Sequence, residues 1–314
     1  MRRVLIVDPI APAGEALLAR HVEVLRAPDG EPDTVRRLAR DADGIVIRSK
    51  LPDDIFSAAP RLRAVAIHGT GIDLVPLEEA TARGIMVCNL PGGNAQSVAE
   101  YCAMAMLMLA RNVLAITTAL KQGTWDAARA LGGQSREIAG MTLGIVGVGE
   151  IGTRLARIAR LGFGMRVLGH QRRLDRLPAE AQPSGLAELL GTADFVVLAC
   201  PLTRETRHLI GREALGRMRR SRSASTSAAS SMTGPRPTLT SQASRRIAGA
   251  MLDVYEHYRL APGHPLFALD NAVLTPHLAG MTRESRARMS VAAAEEMLRM
   301  LEGQAPRHYV NPPR

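Results

Sequence analysis

Short apolar runs alternate with polar, helix-like stretches through the first hundred residues. The runs RVLIV, GIVIR, AVAIH and IMVCN are too short for helices and are rich in Val and Ile, which favours buried strands. Polar segments such as EPDTVRRLARDA separate them. This alternation predicts a parallel sheet covered by helices on both faces. No phosphate-binding glycine fingerprint follows the first run, so we do not expect a nucleotide site in this part of the chain.

A long apolar stretch follows, NAQSVAEYCAMAMLMLARNVLAITTALKQG. We predict one long helix that begins at Asn94 or Ser97 and ends at Gly123. Its apolar residues cover nearly the whole circumference, which predicts burial on several sides. Such a helix suits an interface between domains or subunits, and a plain core helix is the alternative.

A second alternating unit begins at MTLGIVGVGEIGTRLARIARLGFGMRVLGH. It continues through ADFVVLACPLT, IAGAMLDVY and NAVLTPHLAG. The closing segment TRESRARMSVAAAEEMLRMLEG is typical of an amphipathic helix, with Gly303 as its stop. Two alternating units within 314 residues predict an α/β protein of two domains with parallel sheets.

The sequence GVGEIG places Gly147, Gly149 and Gly152 between an apolar strand at 141–146 and a helix. In a dinucleotide-binding turn, the first glycine permits the tight bend and the second lets the backbone approach a pyrophosphate. The third glycine lets the helix pack on the strand, and amides at the helix start face the anion. The motif therefore predicts a dinucleotide site, with a glycine-rich turn lacking a ligand as the alternative.

The end of the second strand bears on the choice of dinucleotide. About 19 residues beyond Gly152, where an Asp or Glu binds the ribose hydroxyls in NAD-binding proteins, the chain has Gln171, Arg172 and Arg173. A neutral side chain followed by two cations suits a 2′-phosphate, which favours NADP(H) over NAD(H). The alternative is that both arginines are solvated surface charges.

The formal net charge of +10 does not alter the prediction of a dinucleotide-binding α/β protein. Seven arginines and no acidic residue lie between Arg217 and Arg246, so this one stretch carries most of the excess. The remainder is near +3, a usual value for a soluble enzyme, and we do not expect a nucleic-acid partner.

Three cysteines, Cys88, Cys102 and Cys200, lie far apart without a CxxC motif, which indicates a reducing compartment. Asp8 and Pro9 end the first apolar run too early for a signal peptide, and no run approaches the roughly 20 residues of a membrane span. We therefore expect a cytoplasmic protein without a membrane partner. We find no metal-ligand cluster and expect no bound metal.

Seven motifs occur together in a familiar order and spacing: VIRSK, HGTGIDLVPL, NLPGGNAQSVAEYCAMAMLMLAR, GIVGVGEIG, CPLTRETRHLIG, AGAMLDVYE and NAVLTPHLAG. Over nearly its whole length the chain resembles the D-isomer-specific 2-hydroxyacid dehydrogenase family. The family includes relatives of D-3-phosphoglycerate dehydrogenase, glyoxylate/hydroxypyruvate reductase and formate dehydrogenase. The resemblance implies hydride transfer between NAD(P)H and a small 2-keto or 2-hydroxy acid.

The resemblance also implies the domain organisation. A substrate domain would comprise 1–97 plus 286–314, and a Rossmann cofactor domain, 98–285, would be inserted into it. Both would be Rossmann-like or flavodoxin-like, the active site would lie in the cleft, and subunits would form a homodimer through the cofactor domain.

Site residues follow from the same resemblance. Arg48, Ser49 and the loop Gly69, Thr70 and Gly71 would border the substrate, whose carboxylate the loop amides could hold. His277, in TPHLAG, matches the family's acid/base: as a cation it gives a proton to the keto oxygen while hydride arrives. The implied cofactor-binding positions are Gly147, Gly149, Glu150, Ile151, Gly152, Gln171, Arg172, Arg173, Cys200, Pro201, Thr206, Asp253, His277 and Gly280.

Two of the family's partners are missing. Its substrate-clamping arginine lies in an Asn-x-Ala-Arg-Gly motif, which would fall near Thr226 to Ser230, with Ala229 in the arginine's place. Its histidine-pairing glutamate would fall at Tyr258, and Glu256 is a nearby stand-in. The literal residues therefore leave open an alternative, a nucleotide-binding pseudoenzyme with weak or no turnover.

The segment at about 218–247 has the family's length for a strand, the arginine turn and a helix, but not its pattern. We hypothesise a pair of compensating frameshifts in the gene, because STSAAS, slipped by one base, can encode Asn-Val-Gly-Arg. A true insertion is the alternative, but it would lengthen the chain. A central parallel strand needs near-continuous apolar residues, so we predict a poorly ordered or non-sheet segment at about 219–245.

Overall fold

The computed structural model describes residues 1–201, 203–218, 223–229, 247–255 and 260–313, with the backbone alone for 223–229. The chain forms two compact units. Unit 1 comprises Met1–Asn94 and Met281–Arg314, and unit 2 comprises Ala95–Gly280. Both units contain parallel sheets flanked by helices, as the alternating pattern predicts.

Unit 1 contains a five-stranded parallel sheet in the order β2-β1-β3-β4-β5. The four apolar runs become β1, β3, β4 and β5, and every residue of β3 and β4 is buried. The edge strand β2 was not predicted, because its sequence EVLR carries charges at both exposed ends. The elements are β1 (Arg3–Ile6), α1 (Pro12–Ala19), β2 (Glu23–Arg26), α2 (Pro32–Ala39), β3 (Gly44–Ile47), α3 (Ile55–Ala58), β4 (Ala64–Ile67), α4 (Leu77–Ala82) and β5 (Met86–Cys88).

The last helix of the chain, α11 (Arg283–Leu301), belongs to unit 1. The Thr282 side chain caps its start by accepting from the Ser285 N–H. Met289, Ala293 and Met297 of α11 pack in one apolar cluster with strand residues of β1. Both ends of the chain therefore build one core.

Unit 2 contains a seven-stranded parallel sheet in the order β12-β11-β10-β9-β6-β7-β8. Read from β8, this is the strand order of a Rossmann fold with one added strand. Its elements are α5 (Ala95–Ala110), α6 (Val113–Lys121), α7 (Trp125–Gly132), β6 (Thr142–Val146), α8 (Glu150–Arg157), β7 (Arg166–His170), β8 (Gln182–Pro183), α9 (Leu186–Thr192), β9 (Phe195–Leu198), α10 (Arg212–Arg217), β10 (Ser223–Ala229), β11 (Gly249–Val254) and β12 (Ala272–Leu274).

The prediction of one long helix from Asn94 to Gly123 is wrong. The helix breaks at Asn112, which adopts a left-handed conformation with φ of 53°, and α6 leaves α5 at an angle of 58°. Asparagine tolerates this conformation better than most residues, so apolar periodicity on both sides does not reveal the break. The predicted burial holds for α5 only, since no residue is buried within α6, which the structure describes in full.

Among the described residues, no single helix is both long enough and apolar enough to span a membrane. The bent pair α5 and α6 passes that test only when its two helices are taken together.

The prediction of a non-sheet segment at about 219–245 is also wrong for 223–229. These residues form β10, which pairs in parallel with β9 on one side and β11 on the other. The physical reason is backbone hydrogen bonding: two neighbouring strands leave a gap whose donors and acceptors a strand of any composition can satisfy. The register shifts between Thr226 and Ala229, at the end of the strand. Residues 219–222 and 230–245 lie outside the described part of the chain.

Candidate cofactor and substrate site

The carboxyl ends of β6 and β9 mark the point where the strand order of unit 2 reverses. From β6 the chain continues to β7 on one side, whereas β9 pairs with β6 on the other side. Ligands of open α/β sheets bind in the crevice at such a point. Gly147 follows β6 with φ of 91°, and a Cβ on it would lie 2.5 Å from the backbone nitrogen of Cys200. Only glycine fits this close approach of two backbones.

The other two glycines of the fingerprint have distinct surroundings. Gly149 is the N-cap of α8, no side chain caps the helix there, and a Cβ on it would meet no atom within 4 Å. A Cβ on Gly152 would lie 2.6 Å from the Gly147 carbonyl oxygen, so the third glycine lets α8 pack against the turn. An uncapped helix start with open space above it fits the pyrophosphate of a dinucleotide. Glu150 and Ile151, which form the first turn of α8, lie at this helix start.

The three residues after β7, Gln171 to Arg173, differ in the partners of their side chains. The Gln171 side chain donates to the carbonyl oxygen of Arg173, and the Arg173 guanidinium lies 3.3 Å from the Asp175 carboxylate. Arg172 is exposed, and within the described ranges it forms no salt bridge. The hydrogen bond from Thr203 lowers the pKa of Glu205, and the charge of Arg172 lowers this pKa further. Arg172 is therefore the cation of this group that is available to an anionic ligand.

The segment after β9 forms a hydrogen-bonded turn. The Thr206 hydroxyl donates to the Pro201 carbonyl oxygen over 2.6 Å and accepts from the Thr203 N–H over 2.7 Å. Burial raises the pKa of the Cys200 thiol, so this side chain stays protonated at neutral pH. Thr206 thus shapes the turn that flanks the predicted cofactor position.

His277 is exposed and adopts a left-handed conformation with φ of 56°. Its backbone N–H donates to the carbonyl oxygen of Asp253 over 2.8 Å. The Asp253 carboxylate accepts from the N–H groups of Leu278 and Ala279, each over 2.9 Å. Asp253, almost completely buried at the end of β11, therefore fixes the loop that carries His277 and continues to Gly280.

Three further residues support this loop, and sequence reasoning missed them. The Thr275 hydroxyl donates to the Asp253 carboxylate over 2.6 Å, and the Tyr101 hydroxyl pairs with the Thr275 hydroxyl. The Tyr255 hydroxyl donates to the carbonyl oxygens of Leu252 and Thr275. Burial raises the pKa of Tyr101 and of Tyr255, that of Tyr255 to about 12. A tyrosine within an apolar helix was the available signal, because a buried phenol needs a partner.

In unit 1, the predicted substrate residues also have defined supports. Asp8, which follows β1, accepts from the backbone N–H groups of Arg48 and Ser49 over 2.7 and 2.8 Å, and from the Ser49 hydroxyl over 2.9 Å. The loop from Gly69 to Gly71 extends from β4, and the Asn89 side chain donates to the Thr70 carbonyl oxygen. Thr70 and Gly71 are both exposed. Sequence reasoning missed the role of Asp8.

A histidine lies directly before this loop. His68 is buried and its Nε2 lies 2.9 Å from the Ser290 hydroxyl of α11, which also accepts from the Ala11 N–H. Burial, together with the smaller effect of the Arg48 charge, lowers the pKa of His68 to about 4. His68 is therefore neutral at physiological pH.

Some predicted positions carry no side-chain description. Glu256 and Tyr258 lie outside the described residues, and Ala229 is described only as the last residue of β10.

Arg48, Gly69, Thr70 and Gly71 belong to unit 1, whereas His277 and the cofactor positions belong to unit 2.

Comparisons with known proteins agree with the sequence resemblance. The family described as "D-isomer specific 2-hydroxyacid dehydrogenase, NAD binding domain" matches residues 103–279. The glyoxylate reductase of Korarchaeum cryptofilum is 35% identical over 320 residues, which cover 98% of this chain and 96% of that protein. A Thermus thermophilus crystal structure shows 34% identity and a TM-score of 0.88, covering 98% of this chain and 99% of the other.

A further solved structure is the NADPH-dependent glyoxylate/hydroxypyruvate reductase of Sinorhizobium meliloti in complex with citrate. It is 25% identical, covers 100% of both chains and has a TM-score of 0.86. These relatives are named as enzymes, and nothing in the comparisons favours the pseudoenzyme alternative. They indicate hydride transfer between NAD(P)H and 2-keto or 2-hydroxy acids. The chain belongs to the D-isomer-specific 2-hydroxyacid dehydrogenase family.

Proposed function

We propose that the protein is a reductase that uses NADPH to convert a small 2-keto acid into its 2-hydroxy acid. Glyoxylate and hydroxypyruvate are the first candidates, since they appear in the names of the Korarchaeum cryptofilum and Sinorhizobium meliloti relatives. The observation that carries the proposal is an exposed His277 on a rigidly held loop, in the same unit as a glycine turn that fits a dinucleotide.

The residues of unit 2 would hold the cofactor through its phosphates. The backbone amides at the start of α8, after Gly149, would bind the pyrophosphate. Arg172 would bind a 2′-phosphate, because it is exposed and forms no salt bridge within the described ranges. When bound, the nicotinamide supplies the hydride.

His277 would supply the proton. As an imidazolium it donates to the keto oxygen, which becomes the hydroxyl of the product, and the imidazole is then reprotonated from solvent. The amides of the Gly69–Gly71 loop would hold the substrate carboxylate, as backbone amides in glycine-rich turns do. Arg48, whose backbone is fixed by Asp8, would contribute a positive charge to the same carboxylate.

The protein is proposed to act as a homodimer through unit 2. Leu114 and Leu120 on α6 are each 47% exposed, and Trp125 at the start of α7 is 62% exposed. An apolar helix without buried residues is unfavourable in water, and a second copy of the chain would cover it.

The proposed location is the cytoplasm, a reducing compartment. None of the three cysteines, all within the described residues, forms a disulfide.

The experiment that tests the activity is NADPH oxidation by the purified protein with glyoxylate or hydroxypyruvate, in the wild type and in His277→Asn. Asparagine keeps the left-handed backbone but cannot donate as an imidazolium does, so we expect kcat to fall about 10²- to 10⁴-fold. His208→Asn is the matched control, because His208 is also exposed and has φ of 58°. Equal rates in the wild type and His277→Asn, or no wild-type turnover with NADPH bound, would contradict the proposal.

A further inference from the structure

The chain of hydrogen bonds behind the His277 loop has a fixed direction. The Asp253 carboxylate can only accept, so the single hydroxyl proton of Thr275 is used in the 2.6 Å bond to Asp253. Between Tyr101 and Thr275 the tyrosine must therefore be the donor. In the order Tyr101 to Thr275 to Asp253, each hydroxyl donates its proton to the next group in the chain. Hydrogen bonds in such a chain polarise one another, which strengthens each of them.

This chain ends on the backbone that sets the position of His277. Asp253 receives three hydrogen bonds through its carboxylate and a fourth, from the His277 N–H, through its carbonyl oxygen. A non-glycine residue with φ of 56° is held against its own preference, so its conformation depends on these supports. Tyr101 lies on α5, 174 residues away in sequence from Thr275.

We propose that Tyr101 and Thr275 are positioning residues for His277, and that they act through Asp253. This inference rests on the proposed function, in which His277 is the proton donor. Neither hydroxyl is proposed to touch the substrate. Their removal should therefore slow the proton transfer and leave the binding of NADPH unchanged.

The test compares four variants with the wild type: Tyr101→Phe, Thr275→Val, Thr275→Ser and the double variant Tyr101→Phe/Thr275→Val. We expect Tyr101→Phe to lower kcat about 3- to 10-fold and Thr275→Val about 10- to 100-fold, with KM for NADPH within about twofold of the wild type. Thr275→Ser keeps the hydroxyl and should restore most of the activity. The control is Thr142→Val. Thr142 is the first residue of β6, at the amino end of the strand, whereas Gly147 follows its carboxyl end.

The double variant gives the sharpest outcome. Thr275→Val leaves the buried Tyr101 hydroxyl without its acceptor, and adding Tyr101→Phe removes that orphaned donor. We therefore expect the double variant to be no slower than Thr275→Val alone. Losses in kcat that multiply, or a Thr275→Ser variant as slow as Thr275→Val, would overturn the proposal. If Thr275→Val does not fold, Tyr101→Phe, which lacks only one oxygen atom, decides the matter. Its kcat is then compared with that of the wild type, and an unchanged kcat would overturn the proposal.

A readout independent of turnover separates this inference from the proposed function. In protein labelled with ¹³C-histidine, the ring resonance of His277, assigned with His277→Asn, should shift in Tyr101→Phe and Thr275→Val but not in Thr142→Val. If the wild type has no reductase activity, the proposed function fails while these shifts still test the positioning role. An unchanged His277 resonance in both variants would overturn the inference.

Discussion

A Cβ atom on Gly147 would lie 2.5 Å from the backbone nitrogen of Cys200. The two residues follow β6 and β9, the strands between which the order of the unit 2 sheet reverses. The turn that begins α8 is thus braced against the neighbouring strand end, and the glycine is required by space as well as by its φ of 91°.

Gly147→Ala should lower the free energy of unfolding by about 2 to 4 kcal/mol, because it combines backbone strain with a clash that backbone atoms cannot relieve. NADPH binding, followed by cofactor fluorescence, should be lost or greatly weakened. Gly191→Ala is the control: a Cβ at this position in α9 meets no atom within 4 Å, and we expect it to stabilise by about 0.5 to 1 kcal/mol. Equal melting temperatures for the two variants would contradict the prediction.

Arg172→Ala should raise KM for NADPH about tenfold and leave KM for NADH nearly unchanged, because only NADPH carries the 2′-phosphate. Arg173→Ala is the matched control, since its guanidinium is already paired with Asp175. Steady-state kinetics with both nucleotides measure the effect. A similar rise in KM for NADH would show that Arg172 does not distinguish the two cofactors.

Leu114→Glu should convert the proposed homodimer into a monomer, because it places a charge in the apolar surface of α6. Light scattering coupled to gel filtration gives the mass of each variant. Leu161→Glu alters a side chain that is 75% exposed elsewhere in unit 2 and should leave the mass unchanged. A wild-type mass of 33.7 kDa would exclude the dimer.

The buried His68 should make stability depend on pH. Its pKa is about 4 in the folded protein and 6.5 when unfolded, so between these values the unfolded state binds the proton first. The free energy of unfolding is therefore highest above pH 6.5 and falls as pH drops towards 4, by about 3.5 kcal/mol in all. Urea unfolding at several pH values should show a shallower dependence for His68→Gln than for the wild type.

His21→Gln is the control for this titration, because His21 is exposed in the same unit. Its free energy of unfolding should follow the wild-type pH dependence. The prediction is contradicted if the free energy of unfolding of His68→Gln and of the wild type falls in parallel between pH 6.5 and 4. The buried imidazole would then not be the cause of the pH dependence.

The frameshift hypothesis for 218–247 predicts that sequencing the gene will show two compensating shifts that flank this segment. The corrected frame should encode an arginine at or next to position 229, in the family's Asn-x-Ala-Arg-Gly motif. An uninterrupted frame with the present codons would contradict the hypothesis.

Local patterns predicted the elements whose stability is local or whose burial is uniform. The runs at β3 and β4 are apolar throughout because both faces of those strands are covered, so their sequence alone indicates a buried strand. The glycine turn at Gly147 was predictable for a similar reason, since its three positions each have a separate steric requirement.

Long-range contacts decided what the sequence could not predict. β10 forms from Ser, Ala and Thr because β9 and β11 present backbone partners on both sides. The role of Asp253 in holding the His277 loop depends on Thr275, which is 22 residues away, and on Tyr101, which is far more distant. Periodicity carries no information on such pairs, because each residue is unremarkable within its own segment.

The contribution of α11 to the core of unit 1 has a consequence for biosynthesis. Val4 and Ile6 leave the ribosome long before Met289 and Met297, and their cluster closes only when those two methionines have been made. Residues 95–280 are translated in between and can complete their own core earlier. The part of this face that α11 covers therefore stays exposed until the last helix has been made, although Leu18 of α1 already packs on it.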